Sequence, residues 1–424
     1  MRLPAISLLP ALALAASAAP PTFHADILPI LQRRCQSCHR PGEIGPMPLL
    51  NYPRVRPWAR AIRESVKLRR MPPWFAERAS LHFENDPSLT AEEISAIDQW
   101  ASSGAPAGAP AGDPAAAPAP VAWPQGWSLP RVDHAVSMPR AIPIPAREEL
   151  DYQWMIIPLT FADDRWITAA EIRPGARDAV HHIVAYIREP DSDWLRGKPT
   201  GEAFTHPGVT TSDILALYTP GTGPMHLPTG MAKLIPAGSD LVLQFHYTPT
   251  GRATSDRSTV GLTFAATPPE KRVLTLQMGS VDFRIPPRAS NHRVSVSGTL
   301  PGDALLLSLL PHMHLRGKAF DFEIVAPGGR VETLLRVAPF HFYWQLNYRL
   351  ATPRLLRRGT RLRFTAWYDN SANNPLNPDP DAEVRYGEQS REEMMVGFFD
   401  VAVDPGFDKP RFFSSRPGAP ASTP

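Results

Sequence analysis

Cysteine is nearly absent: the 424 residues contain two, Cys35 and Cys38. One disulfide is the most they can form, so packing rather than cross-links must hold the fold. Long apolar runs are missing beyond the N-terminus, and no later segment reads as a membrane-spanning helix. Charge is sparse and balanced. Charged residues make up 20%, the formal net charge is +3, and the one basic run that stands out is "VKLRRM" at 66–71. Nucleic acid is therefore not expected as a partner.

Proline is what the chain has in excess, at 50 residues, about twice ordinary usage. Proline lacks an amide hydrogen and breaks helix interiors, so turns, short strands and few long helices are expected. The N-terminus starts with Arg2, runs apolar to about Ala15 and continues with the small residues Ala16, Ser17 and Ala18. That pattern is too short for a transmembrane helix and reads as a secretory signal peptide over 1–18. The mature chain is expected to be soluble and exported, periplasmic or secreted.

Residues 20–104 carry helix-like patterns, "ADILPILQRRC" and "TAEEISAIDQWASSG". The second opens on Thr90 as a cap with acidic residues behind it, and ends near Gly104. An Ala/Pro/Gly-rich linker follows over 105–124, with nothing in it to bury a core. From 125 the texture changes to short alternating segments between Pro/Gly turns, as β-sandwiches require. In "LVLQFHY", Leu241, Leu243, Phe245 and Tyr247 share one face, and Gln244 and His246 the other. In "RLRFTAWY", Leu362, Phe364, Ala366 and Tyr368 align likewise. "ATPPEKR" at 266–272 marks a boundary, giving sandwiches over 125–267 and 268–408 and a tail over 409–424. The expected fold class is a small α-helical domain followed by two all-β sandwiches.

Two sets of residues carry chemistry. "CQSCH" at 35–39 is C-x-x-C-H, the attachment sequence of a covalently bound haem c. The thiols of Cys35 and Cys38 would form thioethers, and His39 would reach the iron. Met71 is the expected sixth ligand, 32 residues after His39, with room to pass to the opposite haem face; Met47 and His82 are the alternatives. Residues 20–104 resemble a class I cytochrome c domain, in which a Met-Pro pair commonly supplies that ligand. The second set is histidine: His181 and His182 in "VHHIVAY", His246 in "LQFHY", and His312 and His314 in "PHMHLRG". Residues i and i+2 of a strand point the same way, so His312 and His314 can converge on one ion while Met313 faces away. His181 and His182 can share an ion only if the backbone is locally irregular. Imidazole accepts zinc, copper, iron or nickel, and the methionines of "EEMMVGFF" at 392–399 turn the choice to copper, because thioether favours the reduced ion.

The order HH, Q-x-H-Y, H-x-H-x-x-G-K and a late E-M before an apolar strand resembles the copper type II, ascorbate-dependent monooxygenases. That family includes peptidylglycine α-hydroxylating monooxygenase and dopamine β-monooxygenase. The resemblance covers roughly 130–402. It implies two jelly-roll-like sandwiches with one copper on each, facing across a solvent-filled cleft. It also implies an electron-transfer copper on His181, His182 and His246, and an oxygen-binding copper on His312, His314 and Met394, with Met395 as the alternative sulfur. Gln244 matches a family position near the first copper. Leu310 stands where the peptide-hydroxylating member has an arginine for a substrate carboxylate, so a glycine-extended peptide is not expected.

The expected function is an exported copper monooxygenase that hydroxylates a C–H bond of a small organic substrate with O2. Electrons would enter through the fused haem from an external donor, either an ascorbate-like reductant or a redox protein. The alternatives are a haem/copper electron carrier without substrate chemistry and an exported copper-binding protein.

Overall fold

The structure is a computed structural model and describes residues 19–108, 118–124, 126–207 and 213–407. The expected signal peptide and the 409–424 tail lie outside the described residues, as does most of the central part of the linker. Two compact units are present. The first draws on 45–72 and 89–121 with the segment up to Pro41; the second takes 42–44, 73–88 and everything from Ala122.

The first unit corrects the expected cytochrome c domain. Its α-helices are short: Leu28–Arg34, Tyr52–Val55, Ala59–Lys67 and Ala91–Ser102, from four to twelve residues each. Prolines at 41, 46, 48, 53, 57, 72 and 73 punctuate the segment and keep any longer helix from propagating. Residues 73–88 leave it altogether. Their strand Ala76–Ala79 pairs antiparallel with Val331–Val337 in the second unit. No sizeable helical domain is built; among the described residues strand dominates. Phe23, Ile27, Leu31, Ile97 and Trp100 form the small core of this unit. The Thr90 cap is a full capping box: Thr90 Oγ1 accepts from the Glu93 amide at 3.2 Å, and Glu93 Oε2 accepts from the Thr90 amide at 3.0 Å.

The second unit is built from three main sheets. One has five strands in the order Phe204–Thr205, Gln153–Pro158, Asp240–Tyr247, Val180–Arg188, Asp213–Tyr218. Another has five in the order Ala76–Ala79, Val331–Val337, Gly317–Val325, Arg361–Tyr368, His292–Thr299. The third, nine-stranded, spans both halves of the unit. Its junction is the parallel pairing of Met231–Ile235 with Lys271–Ser280, in register Met231↔Lys271. Beyond the junction come Met395–Val403, Ala304–His312 and Tyr348–Leu356.

Each five-stranded sheet closes a core over its half of the long sheet. Leu241, Leu243, Phe245 and Tyr247 are buried in one core with Ile167, Val260 and Leu262. Leu362, Phe364, Ala366 and Tyr368 are buried in the other with Phe320, Phe322 and Phe399. The period-two reading of those strands therefore places side chains as expected. The "ATPPEKR" boundary covers the loop between Thr259–Phe264 and Lys271–Ser280 and the first two residues of the latter strand, and the continuous sheet runs across it. No helix among the described residues is long and apolar enough to cross a membrane.

Candidate metal centre

His181 and His182 lie near the start of the strand Val180–Arg188, and His246 lies near the end of its neighbour Asp240–Tyr247. Pairing runs His246↔His182 and then Tyr247↔Val180, leaving His181 as the extra residue of a β-bulge. The bulge supplies the irregularity the HH pair needs: both rings turn to one side. Their Nδ1 atoms are 3.2 Å apart. The ring centres of the three histidines form a near-equilateral triangle with sides of 4.9, 5.1 and 5.4 Å. One nitrogen from each lies within 4.8 Å of the others, and all three residues are buried.

His312 ends the strand Ala304–His312, and His314 follows two residues on, with ring centres 5.3 Å apart. Met313 between them is fully buried in the second core, facing away from both rings. Glu393 fixes this turn. Its carboxylate accepts from the His314 amide at 2.9 Å and the Arg316 amide at 2.6 Å, while burial pushes its carboxyl up to about 8. The next residue, Met394, lines a cavity of about 70 Å³ together with His182, His312 and Leu310. Met395 is instead fully buried in the second core. Of the two sulfurs, Met394 is therefore the one in the cavity that His182 and His312 also line.

The two histidine sets adjoin. The His182 and His312 ring centres are 6.0 Å apart. Phe342 stacks on His181 at 4.6 Å and lies 6.3 Å from His246 and 6.4 Å from His314. The resemblance implies a solvent-filled cleft between the sets; here His182 and His312 both line one cavity and their rings meet edge to face.

Burial holds all five imidazoles in the neutral form that binds a metal. His181 is pushed down to about 4 and His314 to about 3, with repulsion from His312 adding to burial in both. His182 and His246 lie well below the usual 6.5 for the same reason, and burial also lowers His312. Three ring nitrogens, His181 Nε2, His246 Nδ1 and His314 Nε2, are buried with no hydrogen-bond partner. Unpaired buried polar atoms are costly, and a cation at each set would satisfy them. Histidines with thioether nearby suit copper, so the residues present fit that ion.

Several residues that pack around the histidines were not legible as such in the sequence. Gln345 Oε1 accepts from His312 Nδ1 at 2.5 Å, leaving Nε2 for a metal. Gln345 Nε2 is bound to the Met313 and Phe342 carbonyls at 3.4 and 3.2 Å, and Thr219 of the first half donates to the Gln345 carbonyl at 3.0 Å. Tyr152 packs on His246 at 4.8 Å and on His182 at 5.5 Å. Nothing in the local sequence of Tyr152 or Gln345 marks either, because both act through distant contacts. Gln244 lines the same cavity as His182.

The motif at 35–39 lies on one turn after the helix Leu28–Arg34. Neither cysteine is in a disulfide, and burial pushes the Cys35 thiol up to about 12. His39 Nδ1 lies 3.1 Å from the Met47 carbonyl. Met71 is half-buried beyond the helix Ala59–Lys67, and His82 belongs to the second unit.

No family model matches the chain, copper monooxygenase and cytochrome c included. No curated protein matches either. Among solved structures, the chain is similar to the STIV MCP at 12% identity, with a TM-score of 0.25, over 65% of this chain and 95% of that one. It is also similar to the infectious bursal disease virus VP2 subviral particle at 8% identity, with a TM-score of 0.19, over 66% and 75%. Likenesses this loose carry no argument about fold or function. The haem and cytochrome c readings fall with the helical domain that was to house them, and no comparison supports them or an oxidoreductase. The copper reading rests on the histidine geometry alone.

Proposed function

We propose that the chain is a copper-dependent monooxygenase that hydroxylates a C–H bond of a small organic substrate, with two electrons from an external reductant. The observation that carries this reading is the convergence of four buried histidines and the half-buried His312, with His182, His312 and Met394 lining one cavity and three ring nitrogens left without a hydrogen-bond partner. His181, His182 and His246 would hold one copper; His312, His314 and Met394 would hold the other. Copper, when bound, supplies one-electron redox chemistry and activation of O2.

The chain's own residues do the rest. Gln345 fixes the tautomer of His312, and Glu393 pins the backbone that carries His314 and Met394. The Met394 thioether favours the reduced ion. Leu310, Val396, Phe398 and Trp154 give the cavity apolar walls that exclude water from a reacting C–H bond. The cavity's size restricts what can reach the histidines to a small molecule or part of one. Export to the periplasm or beyond belongs to the same proposal.

The test is metal analysis of the purified protein followed by untargeted product analysis with 18O-labelled O2. The expected result is two coppers per chain and one labelled oxygen in the product. His314→Ala is expected to lose one copper and all product formation; unchanged copper content and turnover in that variant would overturn the assignment.

A further inference from the structure

Residues 73–88 interrupt the first unit in sequence and belong to the second. There they form a strap against the segment 338–351. At one end the Ala338 amide donates to the Phe75 carbonyl at 3.0 Å. At the other, Asn85 acts as a strand neighbour would. Its Nδ2 donates to the Asn347 carbonyl at 2.7 Å, and its Oδ1 accepts from the Arg349 amide at 3.0 Å. The Glu84 amide donates to the Arg349 carbonyl, and the Ala351 amide to the His82 carbonyl, both at 2.9 Å. Trp74 and Phe83 pack on the buried Tyr348 ring at 4.7 and 5.6 Å, and Phe75 stacks on His341 at 5.7 Å.

The segment held in this way carries both residues that brace the histidines. Phe342 stacks on His181, and Gln345 accepts from His312. Between Val337 and Tyr348 the chain has no helix or strand of its own. Irregular backbone with few ladder bonds opens easily, so its course depends on what holds its ends.

We propose that the strap 73–88 positions the metal centre: it fixes the segment 338–351 at both ends, and so sets Phe342 against His181 and Gln345 against His312. Trp74 and Asn85 are its positioning residues. The proposal rests on the copper reading above and goes beyond it, because it assigns a role to residues that touch none of the candidate ligands. One strap bears on a histidine of each set. Displacing an outer partner of a metal-binding histidine lowers metal affinity by about 10–100-fold.

The test uses the full chain and two readouts, amide hydrogen exchange without metal and titration with copper(II) followed by electron paramagnetic resonance. In Trp74→Ala the amides of 340–347 are expected to exchange at least about tenfold faster, while Val180–Arg188 and Asp240–Tyr247 keep their protection. Copper(II) affinity is expected to fall by about tenfold, with a changed spectrum. Trp74→Phe, which keeps a ring against Tyr348, should restore both readouts. Asn85→Ala, a milder change, should move both in the same direction as Trp74→Ala. Unchanged exchange at 340–347 in both Ala variants would overturn the strap's hold on the segment. Faster exchange with unchanged copper affinity and spectrum would overturn its hold on the centre and leave the copper reading standing. An unaltered chain that binds no copper would overturn the copper reading and, with it, the strap's part in a metal centre.

Discussion

Lys233 gives the sharpest test of how the two halves of the β unit are joined. It is buried at the junction of the nine-stranded sheet. Its ammonium donates to the Ile214 and Leu215 carbonyls at 2.8 and 3.0 Å and to Thr275 Oγ1 at 2.7 Å. The Asp400 carboxylate lies 3.7 Å away and accepts from Ser308 Oγ at 2.7 Å. At 3.7 Å the attraction between the two charges is about 4 kcal/mol for an effective dielectric near 20. Lys233→Met leaves Asp400 without its countercharge in a site that sheds little into water, and a cost of about 3–5 kcal/mol is expected. Lys233→Met with Asp400→Leu removes both charges and should recover a good part of that loss, giving a coupling energy of about 2 kcal/mol or more. Urea unfolding of the two single variants and the double variant measures it. Ser308 sits on the strand that ends at His312, so the single variants are also expected to weaken copper binding while leaving every ligand in place. A Lys233→Met cost below about 1 kcal/mol, or additivity of the two changes within about 0.5 kcal/mol, would refute the reasoning.

Gln345→Leu is expected to weaken copper binding at the His312 and His314 set by about 10–100-fold, because His312 loses the partner that fixes its tautomer; isothermal titration should show the other set retained. Met394→Ile should leave thermal stability within about 1 kcal/mol and lower the affinity for copper(I) more than for copper(II), whereas Met395→Ala should cost about 2–5 kcal/mol of stability through a core cavity and leave metal binding alone. The metal-free protein should lose stability as pH falls below 6.5, since the unfolded chain takes up protons that His181 and His314 accept only near 4 and 3. At pH 5 these two groups remove about 4 kcal/mol, while Glu393, held near 8, gains a proton in the folded state and works the other way; denaturant melts that do not change between pH 7 and pH 5 would contradict the burial of the cluster.

The β half of the fold was legible because its strands obey a strict two-residue alternation against one core. Leu241, Leu243, Phe245 and Tyr247, and Leu362, Phe364, Ala366 and Tyr368, could be assigned a face from sequence alone. The sheet that runs across both halves was not, because the parallel pairing of Met231–Ile235 with Lys271–Ser280 leaves no local pattern. The helical half shows the opposite limit. A motif of five residues at 35–39 implied a whole domain, but a motif constrains only its own turn. The prolines around it decided how far the helices could run, and the pairing of Ala76–Ala79 decided where the segment 73–88 belongs.

The metal centre was legible as a set of residue types and illegible as a shape. Alternation predicts that neighbouring histidines in a strand diverge, which made the HH pair the weakest member of the ligand set. The bulge at His181 removes that objection by inserting one residue opposite the His246–Tyr247 step, so the ladder stays regular on either side while both rings face the same way. In sequence such a bulge is silent, because it depends on how Val180–Arg188 registers against a strand some sixty residues later. The same dependence explains the distance between the two sets. Histidine spacing can group candidate ligands one set at a time, but how near the two sets of rings stand depends on Phe342, Thr219 and Gln345. Those residues carry no metal-binding signature, and the chemistry available to the centre turns on where they hold His182 and His312.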